Sequence, residues 1–154
     1  MREPDRMRRA IRAITLILAA IALIAVARRA YVLLHPPVSP GFGPAAALDG
    51  GFARHRLLTL IHILPASLFV CLALLQFLPG IRSRHIQWHR WSGRALLILG
   101  CIVGASALVM SYTMAIGGAN ETAATTLFGI LFLLFLAMGF RSIRQHGSRS
   151  IGNG

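Results

Sequence analysis

Few residues in this chain have the side chains for chemistry, and most of them fall in or beside long apolar runs. His62 lies about five residues inside an apolar stretch, and Pro65 follows three residues later. Proline lacks an N–H and crowds the carbonyl four residues back, so a kink beside His62 and a freed Ile61 carbonyl are expected. Gln76 lies fourteen residues beyond His62 and falls within about 40° of it on a helix, since each residue turns about 100°. His55, seven residues before His62, shares nearly the same face. One stripe of this helix is therefore polar at both ends and should face other helices rather than lipid. His62 suits a haem axial ligand, a proton relay or a ligand contact. The structural alternative is a histidine bonded to a nearby carbonyl or hydroxyl.

A second cluster follows at once. Gly80 to Arg94 holds Arg82, Arg84, Arg90 and Arg94, with His85, His89, Trp88 and Trp91. Tryptophan favours the head-group layer, and arginine binds phosphate by two parallel hydrogen bonds. The arrangement fits either a topology-setting loop with aromatic anchors or a site that captures a phosphate-bearing lipid or anion. If the helix starts near His85, then His85, His89 and Gly93 share a face. A bis-histidine haem needs a second histidine at the depth of His62. The next spans offer only Met110, Tyr112 and Met114 there, with His35 and His55 at the surface. No paired carboxylate, activated nucleophile or phosphate loop is present, so no catalytic residue is assigned and an enzyme is not expected. No metal site is expected, apart from His62 and His89 as candidate haem ligands. The candidate ligand-binding residues are His62, Gln76, His89, Arg90 and Arg94.

The elements that hold these residues follow from composition. Of 154 residues, 56% are hydrophobic and only 13% charged, and mean hydropathy is +0.68. A soluble domain carries about 25% charged residues. Sixteen arginines and no lysine oppose four acids, for a net charge of +12. These arginines flank apolar runs instead of covering one face, which argues against nucleic acid and for membrane lipids as partners. Cys71 and Cys101 lack metal-ligand spacing and are expected to be small buried side chains.

Four runs are long enough, or nearly so, to cross a hydrocarbon core of about 30 Å. They cover about 11–34, 57–79, 95–116 and 123–140, between basic tails 1–10 and 141–154. Continuous rather than alternating hydrophobicity makes them helices, not barrel strands. The expected fold is all-α, a polytopic transmembrane bundle of about four membrane-spanning helices. Twelve arginines fall on the side of both tails and the middle connection, and four (Arg28, Arg29, Arg54, Arg56) on the other. The positive-inside rule then places both termini in the cytoplasm of a bacterial cell with an inner membrane. Arg28 and Arg29 are expected to snorkel to the outer head groups. A basic start, an apolar stretch and Ala25-Val26-Ala27 also resemble a cleavable signal. The stretch is long for one and the Arg28-Arg29 pair after it is unfavourable for export, so a retained span is expected. His35 to Gly51, with four prolines and four glycines, is expected to be an irregular outer loop. The short link from Gly117 to Thr122 makes the third and fourth spans antiparallel neighbours. Gly100-x-x-x-Gly104, continued by Ala107 and Ser111, should let another helix of the bundle approach closely.

His62, Gln76-Phe77, Arg82, Arg84 and His89-Arg90-Trp91-Ser92-Gly93-Arg94 together resemble a bacterial family of membrane proteins known as domain of unknown function 2306. Its pattern is an intramembrane histidine, Gly-Pro-x-Gln-Phe, a basic turn and His-Arg-x-x-Gly-Arg-x-Tyr. The resemblance covers about residues 57–115, with looser agreement in the first span. Ala73-Leu74 stands where Gly-Pro is usual, and Leu96 where Tyr is usual. The resemblance implies a polytopic membrane protein and no particular activity. Family members continue past the fourth span with His-Arg-x-Trp-Met and further helices, whereas this chain has Gln145 to Gly154. One permissible back-translation of that tail, read in another frame, gives Ala-Arg-Ile-Ala-Leu-His-Arg-Glu-Trp. The tail is therefore expected to be a frameshift product and the chain a C-terminally shortened member. Three functions remain open: a non-enzymatic protein binding a lipid or small ligand between the second and third spans, a b-type haem or quinone redox component near His62 or His89, and a small transport or proton-path subunit using His62 and Gln76.

Overall fold

A computed structural model describes residues 3–35, 42–76, 85–114 and 117–149. Phe77, Arg82 and Arg84, and the last residues of the tail, lie outside them. The described residues form five helices: α1 (Glu3–Leu34), α2 (Pro44–Arg54), α3 (Arg56–Gln76), α4 (Ile86–Thr113) and α5 (Gly118–Arg149). Four of them, all but α2, are long and apolar enough to cross a membrane. The chain is an all-α, multi-pass membrane protein.

Several helices outrun their apolar cores. α4 starts at Ile86, nine residues before the apolar run at Ala95, and α5 continues to Arg149. A 28-residue helix is about 42 Å long, against a hydrocarbon core of about 30 Å, so the first turns of α4 reach the head-group layer. That places Trp88, Arg90, Trp91 and Arg94 on regular helix rather than in a loop. The expected tail 141–154 is likewise helical as far as Arg149.

The expected irregular segment before Arg56 contains α2. Pro44 occupies the first turn, where its missing N–H costs nothing, and Ala45 to Leu48 are strong helix formers. His55 then breaks the helix direction between α2 and α3. Thr59, fully buried, donates to the carbonyls of Phe52 and His55, each at 3.1 Å, and fixes this corner.

Among the spans, α1 packs on α3, α3 on α4 and α4 on α5, while α2 rests on α1 and α3. The antiparallel pairing of α4 and α5 follows from their short link, where Gly118 adopts a φ of +69° that side chains resist. Gly100 and Gly104 let α5 close on α4. A Cβ at Gly104 would lie 2.5 Å from Leu133 Cδ2, and one at Gly100 would lie 2.8 Å from Leu136 Cδ2. The small-residue stripe thus packs inside the molecule, as expected. Beside it Phe69 of α3 meets Phe132 of α5 edge to face, ring centres 5.9 Å apart. Cys71 and Cys101 are exposed, not buried. Hydrocarbon is as apolar as a protein interior, so position in an apolar run does not decide which way a small residue faces.

Candidate functional site

The chemistry-bearing residues gather at two ends of the α3–α4 pair. At the α2 end, His62 Nδ1 lies 2.9 Å from Ser106 Oγ. Ser106 has one proton, and its oxygen is 2.6 Å from the Ile102 carbonyl, which only accepts. The hydroxyl therefore accepts from His62, and Nδ1 carries the ring proton. This leaves Nε2 unprotonated, on a ring that lines an open cavity of about 170 Å³ between α2, α3, α4 and α5. Met110, Met114, Ser111 and Glu121 line the same cavity. Tyr112 does not join them: it is exposed, and its hydroxyl accepts from Thr126 at 3.2 Å. His55 sits exposed in the turn before α3.

At the other end, Gln76 Nε2 donates to the His89 carbonyl at 2.9 Å and to Ser92 Oγ at 2.7 Å. Ser92 in turn donates to the Trp88 carbonyl at 2.6 Å. Gly93 leaves room for this contact, since a Cβ there would sit 3.7 Å from Gln76 Nε2. The stripe read from His62 to Gln76 does face α4. Both residues meet a serine, and Ser92 and Ser106 are fourteen apart just as His62 and Gln76 are. The two pairs fix the antiparallel register of α3 and α4. Sequence reasoning missed both serines, although their matching spacing was a usable signal.

Next to Gln76 is a larger groove of about 480 Å³ between α3 and α4, walled by Leu72, Leu75, His85, Trp88, Trp91 and Ser92. Its lining is almost wholly apolar. Arg90 and Arg94 are exposed one helical turn apart, and Arg94 lies one turn beyond Trp91. His89 Nδ1 is buried without a hydrogen-bond partner.

His62 and His89 do not come together. Ser106 marks the depth of His62 on α4, and His89 precedes it by seventeen residues, about 25 Å of helix. They cannot ligate one iron within this chain. The cavity at His62 is also smaller than the roughly 300–1,000 Å³ typical of organic ligand sites, so a haem does not fit there as His/Met ligation would require.

The arginines at the α2 end find a protein partner. Arg28 pairs with Asp49 through two contacts at 3.0 and 3.1 Å, and Arg29 reaches the same carboxylate at 2.6 Å. Arg29 also lies 3.8 Å from the Phe52 ring centre. Asp49, on α2, thus holds the end of α1 in place of the head groups expected for both arginines. Arg28 above all, then Arg29, holds the Asp49 carboxyl below the usual carboxylate range.

Four apolar spans, a register set by polar pairs and basic residues at the helix ends define a small polytopic membrane protein. The chain belongs to the family of predicted membrane proteins DUF2306, whose profile matches residues 59–150. The match takes in α3, α4 and α5. It extends beyond the 57–115 segment that carries the motifs, and leaves α1 outside. No curated protein and no solved structure gives a significant match.

Proposed function

We propose that this protein binds an anionic phospholipid between α3 and α4 at its arginine-rich end. The observation that carries this reading is the apolar groove bounded by Trp88 and Trp91, with Arg94 exposed one turn beyond Trp91 and Arg90 exposed one turn before Arg94, outside the groove lining. An acyl chain would lie against Leu72 and Leu75. The two guanidinium groups offer the donors and charge that a phosphate takes up. Tryptophan at this level fits the head-group boundary. The lipid would be a partner or regulator; of the polar groups lining the groove, the Ser92 hydroxyl already donates to the Trp88 carbonyl.

The same reading places the arginine-rich end in the bacterial cytoplasm, with the protein in the inner membrane. The support is the bias of twelve arginines against four. A reporter fused after Gly154 should be active only as a cytoplasmic fusion, and periplasmic activity would refute the orientation.

The lipid reading is tested by mass spectrometry of lipid retained by protein purified in mild detergent. Arg90→Gln with Arg94→Gln should lose most of the retained phosphatidylglycerol and cardiolipin, while Leu75→Trp should expel lipid by filling the groove. Undiminished anionic lipid in both variants would refute it. The transport alternative is less well supported, because the Gln76 amide donors are already committed to α4. The haem alternative is opposed by the separation of His62 from His89.

A further inference from the structure

Among the described residues, no three His, Cys, Asp or Glu side chains gather as a metal cluster. That count leaves out thioethers, and the cavity at the α2 end is where they matter. Met114, the residue just past the end of α4, donates its N–H to the Met110 carbonyl one turn back at 2.8 Å. Both line the cavity that His62 enters from α3. We propose that His62, Met110 and Met114 form a binding site for a soft monovalent cation, Cu(I).

The donor chemistry selects the ion. Thioether sulfur is a soft ligand that suits Cu(I) and binds zinc, calcium or magnesium poorly, and imidazole suits copper as well. One imidazole and two thioethers make a neutral three-coordinate set for a singly charged ion. Histidine ligands ordinarily donate their other ring N–H to an oxygen partner that fixes the ring. His62 has this support already: Nδ1 donates to Ser106 Oγ, which is itself anchored on the Ile102 carbonyl. With Nδ1 engaged by Ser106, Nε2 is the ring nitrogen left for a metal.

The size and position of the cavity agree with an ion. About 170 Å³ is small for an organic cofactor and ample for a metal with its donors. Glu121 lines the cavity from the start of α5, and its carboxylate also accepts from the Gly117 N–H. It adds negative charge where a cation enters. Met114 follows the last residue of α4, so the cavity opens near the membrane boundary at the end opposite Arg90 and Arg94, where Arg28 and Arg29 are paired with Asp49. The site shares α3 and α4 with the lipid groove but none of its lining residues, so variants in one lining leave the other intact.

The test uses the full chain in detergent with a histidine-free tag. Cys71→Ala and Cys101→Ala are present throughout, because both thiols are exposed and bind Cu(I) themselves. Cu(I) is titrated anaerobically against bicinchoninate, and the first shell is read by X-ray absorption. One Cu(I) per chain is expected, with one nitrogen and two sulfur donors. Met110→Leu with Met114→Leu preserves volume and should weaken binding at least tenfold, as should His62→Gln. Met7→Leu with Met138→Leu, at exposed methionines, should leave it unchanged. Failure to compete with bicinchoninate, a first shell without sulfur, or equal affinity in the Met110/Met114 variant would overturn the proposal.

Discussion

Asp49→Asn should undock α2, and the cost can be worked from the exposure of the two arginines it serves. Arg28 is 53% exposed, so its pair with Asp49 belongs with surface ion pairs worth about 0–1 kcal/mol. Arg29 is 13% exposed and Asp49 15%, which places their contact near the buried limit. Breaking a fully buried pair costs about 3–5 kcal/mol, because one charge is left without a partner. Arg29 keeps its contact with the Phe52 ring and some water, so about 2–3 kcal/mol is the fitting share. The total is about 2–4 kcal/mol, or roughly 30- to 900-fold in the docking equilibrium. Hydrogen exchange of the 44–54 segment in lipid nanodiscs reads this equilibrium directly. The decisive comparison is between double variants. Asp49→Asn with Arg29→Gln should recover most of the lost protection, since the orphaned charge is gone. Asp49→Asn with Arg28→Gln should recover little. Equal recovery in the two, or a loss below threefold for Asp49→Asn alone, would refute this account. Acid supplies an independent check. The folded carboxyl titrates below its unfolded value of about 3.9, so its contribution is fully present above that value and fades as pH falls through the folded one. Protection of α2, corrected for intrinsic exchange, should be flat from pH 7 to 5 and drop below about pH 4. In the Asn variant this drop should be absent.

Gly104→Ala should destabilise the α4–α5 pair by about 1–3 kcal/mol, because its Cβ meets both Cδ2 and Cγ of Leu133 and a χ2 rotation of the leucine leaves Cγ where it is. Gly139→Ala meets nothing and should be neutral or gain up to about 1 kcal/mol of helix propensity; steric-trap unfolding of the two variants checks the ranking. Gln76→Leu should cost only about 1 kcal/mol in the same measurement, because Ser92 and the His89 carbonyl keep partners within α4. It should also raise hydrogen exchange over the first turns of α4, by freeing them from α3.

The spans were legible because apolar length and flanking arginine report directly on the bilayer. The same signal misplaces helix ends. The apolar run stops at Ala95, yet the backbone of α4 stays helical back to Ile86, since its N–H and C=O groups pair within the helix whether lipid or water surrounds them. α2 was hidden because four glycines and four prolines outweigh three alanines in composition, although Pro44 at a helix start favours the fold. The partner of Arg28 and Arg29 was nearly readable: Asp49 is the one acid that follows them before α3. Which side chains meet His62 was not readable from its own span. That depends on how α3 and α4 are rotated against each other, and only paired spacing on both helices carries that information. The exposure of Cys71 and Cys101 is of the same kind, since lipid and helix interface differ little in polarity.

α4 makes the two ends interdependent. One face carries Ser92 and Ser106 against α3, and another carries Gly100 and Gly104 against α5. Between the serines the α3 contact is apolar, and lipid-facing surface competes with it on nearly equal terms, so packing alone would tolerate a slip. The polar pairs do not tolerate one. Sliding α3 by a single turn, about 5.4 Å, would part Gln76 from Ser92 and His62 from Ser106 together. The same movement would carry Leu72 and Leu75 past Trp88 and His62 past Met110, so groove and cavity would lose their shapes in one step. A ligand that prefers the present register at either end must therefore favour it at the other, by the reciprocity that linkage imposes on two sites sharing one equilibrium.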